Sequence, residues 1–268
     1  MKICRWVLFA LMLSTGLLRG QQFKALLITE TDGFNHESIM DGTRAIKKLG
    51  EKHFFDVEIQ QEANPITLDR LKEFDVVIFL NTTGDIFNAE EQEAFEKYIG
   101  YGKGYVGIHA AADTEYEWDW YTKLVGRMFH IHPTKQTALL KIEDHNFPGL
   151  EHFPNALLWT DEWYEFGPDK INDLKTLITV NEESYDAEVV WKNRDMGSNG
   201  NMVDRVGHGM GEVHPISWYH EYEGGRAFYT ALGHIGPNFK NQWFLDHLYG
   251  GIFYAAKANP YYLKGLSK

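Results

Sequence analysis

Short apolar runs alternate with amphipathic stretches through the first half of the chain. An uninterrupted apolar run is typical of a strand buried on both faces, whereas an apolar stripe of helical period is typical of a helix packed on a sheet. Asn88, followed by Glu90 and Glu91, has the character of a helix N-terminus. The pattern predicts strands over 23–29, 55–59, 75–80 and 104–109, and helices over 37–52 and 88–101. This order predicts an α/β fold, with a parallel sheet that is covered by helices on both faces.

The second half of the chain is richer in strands and less regular. The pattern predicts strands over 139–142, 174–180, 188–191, 215–219 and 226–232, and a last helix over 241–258. Residues 192–212 are rich in glycine, which predicts a long surface loop. No repeat and no linker divides the chain, so we expect a single domain over residues 21–268.

The first twenty residues have the pattern of a secretory signal peptide. Lys2 and Arg5 precede an apolar run over 6–13 that continues at 17–18. This run is short for a transmembrane helix, which needs about 20 apolar residues. We therefore expect cleavage near Gly20, export to the periplasm or the cell exterior, and no stable membrane span in the mature protein.

Composition and charge exclude several classes of protein. The chain has 268 residues, of which 44% are hydrophobic, and its net charge is -12 because 38 Asp and Glu outnumber 26 Lys and Arg. This acidity argues against a nucleic-acid partner. The single cysteine, Cys4, lies in the expected signal peptide, so a disulfide scaffold and a catalytic thiol are not expected in the mature chain. The motifs typical of serine hydrolases, P-loop NTPases and dinucleotide-binding dehydrogenases are absent from the sequence.

Histidines follow several of the predicted strands. His36 comes shortly after the first strand, His109 ends the fourth, and His234 follows the strand over 226–232. In open parallel sheets, ligands bind beyond the carboxyl ends of the strands. We therefore expect these three side chains to face one cleft.

Six segments spread along the chain carry recognisable motifs. They are 33–38 (GFNHES), 107–113 (GIHAAAD), 129–133 (FHIHP), 161–164 (DEWY), 214–218 (HPISW) and 225–234 (GRAFYTALGH). Together they resemble the ThuA-like (trehalose-utilisation) family. The resemblance implies a flavodoxin-like fold related to class I glutamine amidotransferases, and a saccharide or keto-saccharide as substrate. Asn35 stands where the family commonly has an arginine, which leaves the fine substrate specificity open.

His109 stands where the related amidotransferases place a cysteine, on a tight turn after a strand. Because the mature chain has no thiol, we expect no amidotransferase activity. We predict instead that His109 and Glu162 form a proton-transfer pair, and that Asp113 orients His109. The aromatic neighbours of Glu162 in the sequence, among them Trp163, predict a raised pKa for its carboxyl group.

Five further residues are candidates for substrate binding. His36, His132 and His234 are expected to complete the cleft. Trp218 can stack on a sugar ring and Arg226 can hold a carbonyl or carboxylate, although both also suit packing and a surface ion pair. These assignments favour a hydrolase, lyase or isomerase that acts on trehalose or a related glycoside or keto-glycoside.

Two alternatives remain open at this point. His130 and His132 have the i, i+2 spacing of residues that share one face, which suggests a divalent metal such as zinc or simply a polar loop. His214 suits a structural role. A non-catalytic carbohydrate-binding protein, monomeric or oligomeric, would keep the same fold and cleft.

Overall fold

The computed structural model describes residues 21–62, 65–197 and 200–257. The predicted signal peptide and its cleavage site lie outside these residues. The helices are α1 (Ile39–His53), α2 (Leu68–Leu71), α3 (Ala89–Gly100), α4 (Asp119–Val125) and α5 (Gln242–Ala255). The first seven strands are β1 (Lys24–Ile28), β2 (Asp56–Gln60), β3 (Val76–Leu80), β4 (Gly104–Ile108), β5 (Phe129–Ile131), β6 (Gln136–Ile142) and β7 (Ala156–Asp161). The others are β8 (Glu165–Phe166), β9 (Lys175–Asn181), β10 (Val189–Met196), β11 (Met202–Gly207), β12 (Pro215–Tyr222) and β13 (Gly225–Thr230).

Nine of these strands form one mixed sheet in the order β2-β1-β3-β4-β13-β12-β9-β6-β7. The strands from β2 to β13 are parallel, as predicted, and those from β12 to β7 continue the sheet in antiparallel fashion. The prediction of an α/β fold is confirmed, and the irregular second half of the sequence corresponds to the antiparallel extension.

The register brings the carboxyl ends of the central strands to one level. Leu80 and Thr230 both pair with Ile108, so β3, β4 and β13 end side by side. Four antiparallel pairings separate β13 from β7, and an even number of reversals leaves the two strands running in the same direction. The chain after β7 therefore leaves the sheet at the same edge as the chain after β4.

Helices cover both faces of the sheet because successive residues of a strand point to opposite sides. Phe228 of β13 packs against His247 of α5, with 5.2 Å between ring centroids. The next residue, Tyr229, stacks on Trp218, whose indole N–H donates a hydrogen bond to the carbonyl of Val125 in α4. None of the helices over the described ranges is long and apolar enough to cross a membrane.

The predicted helix start at Asn88 is confirmed. The Asn88 side chain accepts hydrogen bonds from the backbone N–H groups of Glu90 and Glu91, and the Glu91 carboxylate accepts one from the Asn88 N–H. This reciprocal pair satisfies donors that a helix N-terminus leaves free.

The predicted surface loop over 192–212 is wrong over 192–196, the end of β10, and over 202–207, which is β11. Strands β10 and β11 pair antiparallel there, with an irregularity between Trp191 and Asp195. Arg205 forms an ion pair with Asp195 and donates a hydrogen bond to the carbonyl of His130 in β5. Glycine content suggested a loop, but the β-branched and aromatic residues of 189–191, together with Val203 and Val206, pair as strands. This β10–β11 hairpin forms one wall of the site described next.

Candidate functional site

Four histidines converge on the carboxylate of Glu162 at the carboxyl edge of the parallel strands. His36 lies in the turn after β1, His109 directly after β4, and His234 after β13. Glu162 follows β7 and His132 follows β5. The common edge predicted for His36, His109 and His234 is therefore present, and we call these five residues the histidine–glutamate cluster.

His109 is held in one orientation from several sides. Its backbone has φ of 51°, a left-handed conformation that is uncommon for a residue with a side chain. Its Nδ1 lies 2.7 Å from the carbonyl oxygen of Ala231, and its Nε2 lies 2.9 Å from the hydroxyl of Tyr164. Because a carbonyl only accepts, Nδ1 carries the proton and Nε2 presents a lone pair when the ring is neutral.

Three of the imidazole rings pack edge to face around one point. The ring centroids of His36 and His109 are 5.0 Å apart, those of His36 and His234 are 5.3 Å apart, and those of His109 and His234 are 5.2 Å apart. The rings are inclined to one another by 89°, 84° and 66°, respectively. Their nitrogens therefore approach a shared centre from three directions.

The carboxylate of Glu162 lies at that centre. Its Oε2 is 3.0 Å from Nδ1 of His234, 3.5 Å from Nε2 of His132 and 3.6 Å from Nε2 of His109. Burial by itself raises the pKa of Glu162, but contacts with His109 and His234 outweigh it and hold the pKa below its usual value. The prediction of a raised pKa was therefore wrong, because histidines from distant parts of the chain, and not the neighbouring aromatic residues, surround the carboxyl group.

Burial and charge keep His36 neutral. Its side chain is 5% exposed, and Nδ1 makes no hydrogen bond within the described part of the chain. Burial, followed by the positive potential of His109 and His234, lowers the pKa of His36 to about 2. Burial also lowers the pKa of His132, although Glu162 acts in the opposite direction.

A buried carboxylate, Asp161, fixes the turn that carries His234. It accepts hydrogen bonds from the backbone N–H groups of Gly233 and His234, at 3.0 and 3.2 Å, and from the side-chain amide of Asn238 at 3.1 Å. Gly233 has φ of 122°, a conformation that a side chain would disfavour. Asp161 was not among the predicted site residues, although it adjoins Glu162 in the sequence.

A cavity of about 420 Å³ opens on one side of the cluster. This volume is within the range of small-molecule sites. The ring of His109 is completely buried and does not line the cavity, so of the three histidines expected to face one cleft only His36 and His234 do so. The lining residues are Phe34, His36, Asp113, Phe129, His132, Glu162, Tyr164, Trp191, Arg194 and His234.

Asp113 lines this cavity but does not orient His109, which corrects the prediction. Its carboxylate accepts a hydrogen bond of 2.7 Å from the hydroxyl of Tyr116, and the carbonyl of Ala231 instead fixes the His109 ring. Burial raises the pKa of Asp113. The carboxyl group with the raised pKa is thus Asp113, and the one with the lowered pKa is Glu162.

Trp218 and Arg226 lie away from the cavity, so their predicted contact with substrate is not supported. Trp218 is buried in the core between Tyr229 and α4. Arg226 is at the amino end of β13, where its guanidinium donates a hydrogen bond to the carbonyl of Tyr254. At about 3.3 Å per residue, that position is more than 10 Å along the strand from its carboxyl end.

His130 and His132 do not form the pair that their spacing suggested. Nε2 of His130 lies 3.1 Å from the carbonyl of Val206 in the β10–β11 hairpin, whereas His132 faces Glu162. His214 has the structural role that suited it. Its buried ring bridges the Glu182 carboxylate and the carbonyl of Tyr164, and so supports the strand segment that carries Tyr164.

The nitrogen and oxygen atoms of the cluster suit a metal ion. One ligand atom each from His36, His109, His234 and Glu162 lie within 4.8 Å of one another. Neutral imidazole and carboxylate are ligands that zinc and similar divalent ions prefer.

Trp191 and Arg194 are cavity residues that the sequence did not identify as such, and Tyr164 lines the cavity with them. Tyr164 alternates with Glu162 along an extended segment, which places both on one side and was a usable signal. Trp191 and Arg194 carried no comparable signal, because they face the cavity only through the β10–β11 hairpin.

Comparison with known protein families gives one match that spans most of the chain. The profile of the ThuA family, described as trehalose utilisation, matches residues 24–255. No functionally curated protein matches the sequence.

Solved structures share the fold at low sequence identity. A ThuA-like protein from Bacteroides uniformis is 23% identical, with a TM-score of 0.69 over 88% of this chain and 92% of that one. A ThuA-like protein from Parabacteroides merdae is 20% identical, with a TM-score of 0.61 over 87% and 90% of the two chains. A β-galactosidase from Bacillus circulans is 9% identical, with a TM-score of 0.52 over 90% of this chain and 32% of that one.

Proposed function

The chain belongs to the ThuA (trehalose utilisation) family, and on that premise we propose that it is an enzyme of carbohydrate metabolism whose active site is the cavity beside the histidine–glutamate cluster. The observation that carries the proposal is the convergence of four histidines on Glu162 beside one cavity, which Glu162 and three of these histidines line. Binding alone needs few titratable groups, whereas proton transfer needs groups that are held in place.

Two carboxyl groups on the same cavity have pKa values that are displaced in opposite directions. Burial raises the pKa of Asp113, and the neighbouring histidines lower that of Glu162. Such a divergence is the usual basis for separate acid and base roles. We assign Asp113 as the proton donor to the substrate and His132 as the proton acceptor, with the ionised Glu162 beside His132 favouring its protonated form.

The substrate class is a glycoside or keto-glycoside, trehalose-derived or related. Aromatic rings at the cavity, Phe34 and Trp191 among them, offer faces on which the C–H groups of a sugar can pack. The guanidinium of Arg194 lies 5.6 Å from the centroid of Trp191 and supplies hydrogen-bond donors at the same wall.

A panel of glycosides and 3-keto-glycosides, incubated with the wild type and with Asp113→Asn, tests the proposal. We expect turnover of at least one member by the wild type and a loss of about 10²–10⁴-fold in the variant, the range for a positioned acid. Glu117→Gln, an exposed change close by in the sequence, is the control. Binding of sugars without turnover in any protein would favour the alternative, a carbohydrate-binding protein that uses the same aromatic faces.

Export is a separate part of the proposal. It is supported by the basic residues and the apolar run at the start of the sequence, Lys2 to Leu18. Mass spectrometry of the N-terminus from the native host is expected to find a chain that begins near Gln21 in the periplasm or medium. A cytoplasmic chain that retains Met1 would contradict export and leave the enzymatic proposal intact.

A further inference from the structure

Hydrogen-bond acceptors face each other at the centre of the cluster. Nδ1 of His109 is 2.7 Å from the carbonyl of Ala231, and Nδ1 of His132 is 2.8 Å from the carbonyl of Pro133. Both rings therefore carry their proton on Nδ1 and direct the lone pair of Nε2 inward. These two Nε2 atoms lie 3.6 and 3.5 Å from Oε2 of Glu162, which is an acceptor as well. The hydroxyl of Tyr164, 2.9 Å from Nε2 of His109, is one donor at this centre, but Nε2 of His132 and Oε2 of Glu162 still face each other as acceptors. A positive charge at the centre is required to offset their repulsion.

Protons meet this requirement poorly. One added proton on His109 can satisfy one contact with Glu162, but it leaves the lone pair of His132 facing the same oxygen. Charging several rings at once places like charges about 5 Å apart in a buried site, where their repulsion is weakly screened. His36 also lacks a hydrogen-bond partner for its buried Nδ1 among the described residues.

We propose that His36, His109, His234 and Glu162 together bind one divalent transition-metal ion, with Zn²⁺ as the best chemical fit. A single cation accepts one lone pair from each of these four groups at once, and its charge also offsets the repulsion between Nε2 of His132 and Oε2 of Glu162. The ligand atoms lie within 4.8 Å of one another. In a tetrahedral zinc site with bonds of about 2.0–2.1 Å they would be about 3.3–3.4 Å apart, so the side chains close by roughly 1 Å around the ion.

The surroundings of the ligands match those of metal centres. Metal-bound histidines usually donate their second N–H to a carbonyl or carboxylate, as His109 does to Ala231. Asp161 holds the backbone of His234, and thereby sets the position of that ring. His132 is outside the four-residue set, and its Nε2 stays available to substrate at the cavity wall.

The role of the ion in a reaction, although not its binding, rests on the proposed function, because the ion would lie beside the sugar cavity. Such an ion would polarise a carbonyl or hydroxyl oxygen of the substrate if that oxygen joined the four protein ligands as a fifth. The four ligands would hold the ion, and Asp113 and His132 would transfer protons at the cavity.

Metal binding is tested without any substrate. The mature protein is stripped with a chelator, titrated with Zn²⁺ by calorimetry, and loaded with Co²⁺ for absorption spectroscopy. We expect one ion per chain, a raised melting temperature, and visible Co²⁺ bands of nitrogen and oxygen ligation. His36→Ala and His234→Ala are each expected to lower Zn²⁺ affinity by more than about 100-fold, beyond the range for losing an outer-sphere partner.

The matched control is His208→Ala, since this exposed histidine lies outside the ligand set. It is expected to bind Zn²⁺ as the wild type does. Circular dichroism shows whether each variant is folded, and the Co²⁺ spectrum of the wild type gives an answer that needs no variant. The proposal is overturned if the wild type binds no ion stoichiometrically, or if folded His36→Ala and His234→Ala bind with unchanged affinity.

The outcomes separate this inference from the proposed function. Stoichiometric binding that depends on these ligands, with no turnover of any sugar, supports the metal site and counts against the enzyme. Turnover by a protein that takes up no ion in the titration supports the enzyme and overturns the metal site.

Discussion

The two ends of the parallel strands differ in how far their titratable side chains are exposed to water. At the amino ends, Lys103 and Asp75 form an ion pair of 3.1 Å, and Lys24 lies 3.4 Å from Glu73. All of these side chains are partly exposed, so water shares the work of solvating them. At the carboxyl ends, four histidines and Glu162 are buried or half-buried against one another.

The contrast shows that the fold keeps a cluster of buried titratable groups, which destabilises it, at the carboxyl ends of the strands. Partly exposed ion pairs contribute little to stability and cost little to keep. Buried titratable groups that face each other are expensive, and they persist at sites where a ligand or a reaction requires them. We therefore expect changes at the carboxyl end to alter chemistry, and changes at the amino end to alter very little.

The largest effect is expected from Glu162→Gln. The substitution keeps the size of the side chain but removes the charge on which His109, His132 and His234 converge, so turnover should fall by about 10²–10⁴-fold. Steady-state kinetics measure the loss. Glu37→Gln makes the same chemical change at an exposed position beside His36 and should leave turnover unaltered. Equal activity of the two variants would remove the functional contrast between the two ends.

Asp161→Ala should destabilise the protein by about 2–4 kcal/mol. It leaves the N–H groups of Gly233 and His234 and the amide of Asn238 without their acceptor, and each buried unsatisfied donor costs about 1–3 kcal/mol. Chemical denaturation gives the value. Asp75→Ala at the amino end, where the carboxyl group is partly exposed, should cost about 1 kcal/mol or less. A larger loss for Asp75→Ala would invert the comparison.

His247 packs against Phe228 between the two ends of the strands, and it shows the effect of burial alone on a histidine outside the cluster. Burial lowers its pKa to about 3, so below pH 6.5 the unfolded chain binds a proton that the native protein does not. The contribution of this ring to stability is therefore constant above pH 6.5, and stability falls as the pH is lowered toward 3. At about 1.36 kcal/mol per pH unit, the loss at pH 4.5 is about 2–3 kcal/mol.

His247→Gln, which can still hydrogen bond to Ser217, should lose that much less stability between pH 6.5 and 4.5 than the wild type. Urea denaturation at both pH values measures the difference. Exposed His208→Gln should retain the slope of the wild type. An unchanged slope in His247→Gln would mean that this ring is protonated in the native protein.

The smallest effect is expected from Arg226→Ala. Its guanidinium donates to the Tyr254 carbonyl and lies 3.8 Å from the exposed carboxylate of Glu221, so its removal should change stability by about 0–1 kcal/mol. Turnover should not change. A loss of activity would show that the amino end contributes to the site after all.

The sequence predicted the parallel half of the sheet because local pattern determines it. Apolar runs such as Val76–Leu80 are buried on both faces, and parallel strands share their direction, so the residues that follow them meet. His36, His109 and His234 could be placed at one edge for that reason alone.

The chemistry of the carboxyl groups could not be predicted in the same way. The surroundings of Glu162 were inferred from its sequence neighbours, but residues 36, 109, 132 and 234 are the ones that contact it. Asp113 is four residues from His109, yet its carboxylate turns to Tyr116. Trp218 and Arg226 lie in family-like segments, but a segment does not reveal which face or which end of a strand a side chain occupies.

The distribution of the ligands along the chain has a consequence for how the protein matures. His36 and His234 are brought together only when β13 has paired with β4, so no fragment that ends before residue 234 contains the complete set. A chain that emerges from the ribosome or passes unfolded through a translocation channel cannot hold the ion in its final coordination. If the chain is exported in that form and binds the proposed ion, it acquires the ion after the membrane has been crossed. The identity of the ion would then reflect the supply outside the cytoplasm, since availability decides among metals that one site can bind.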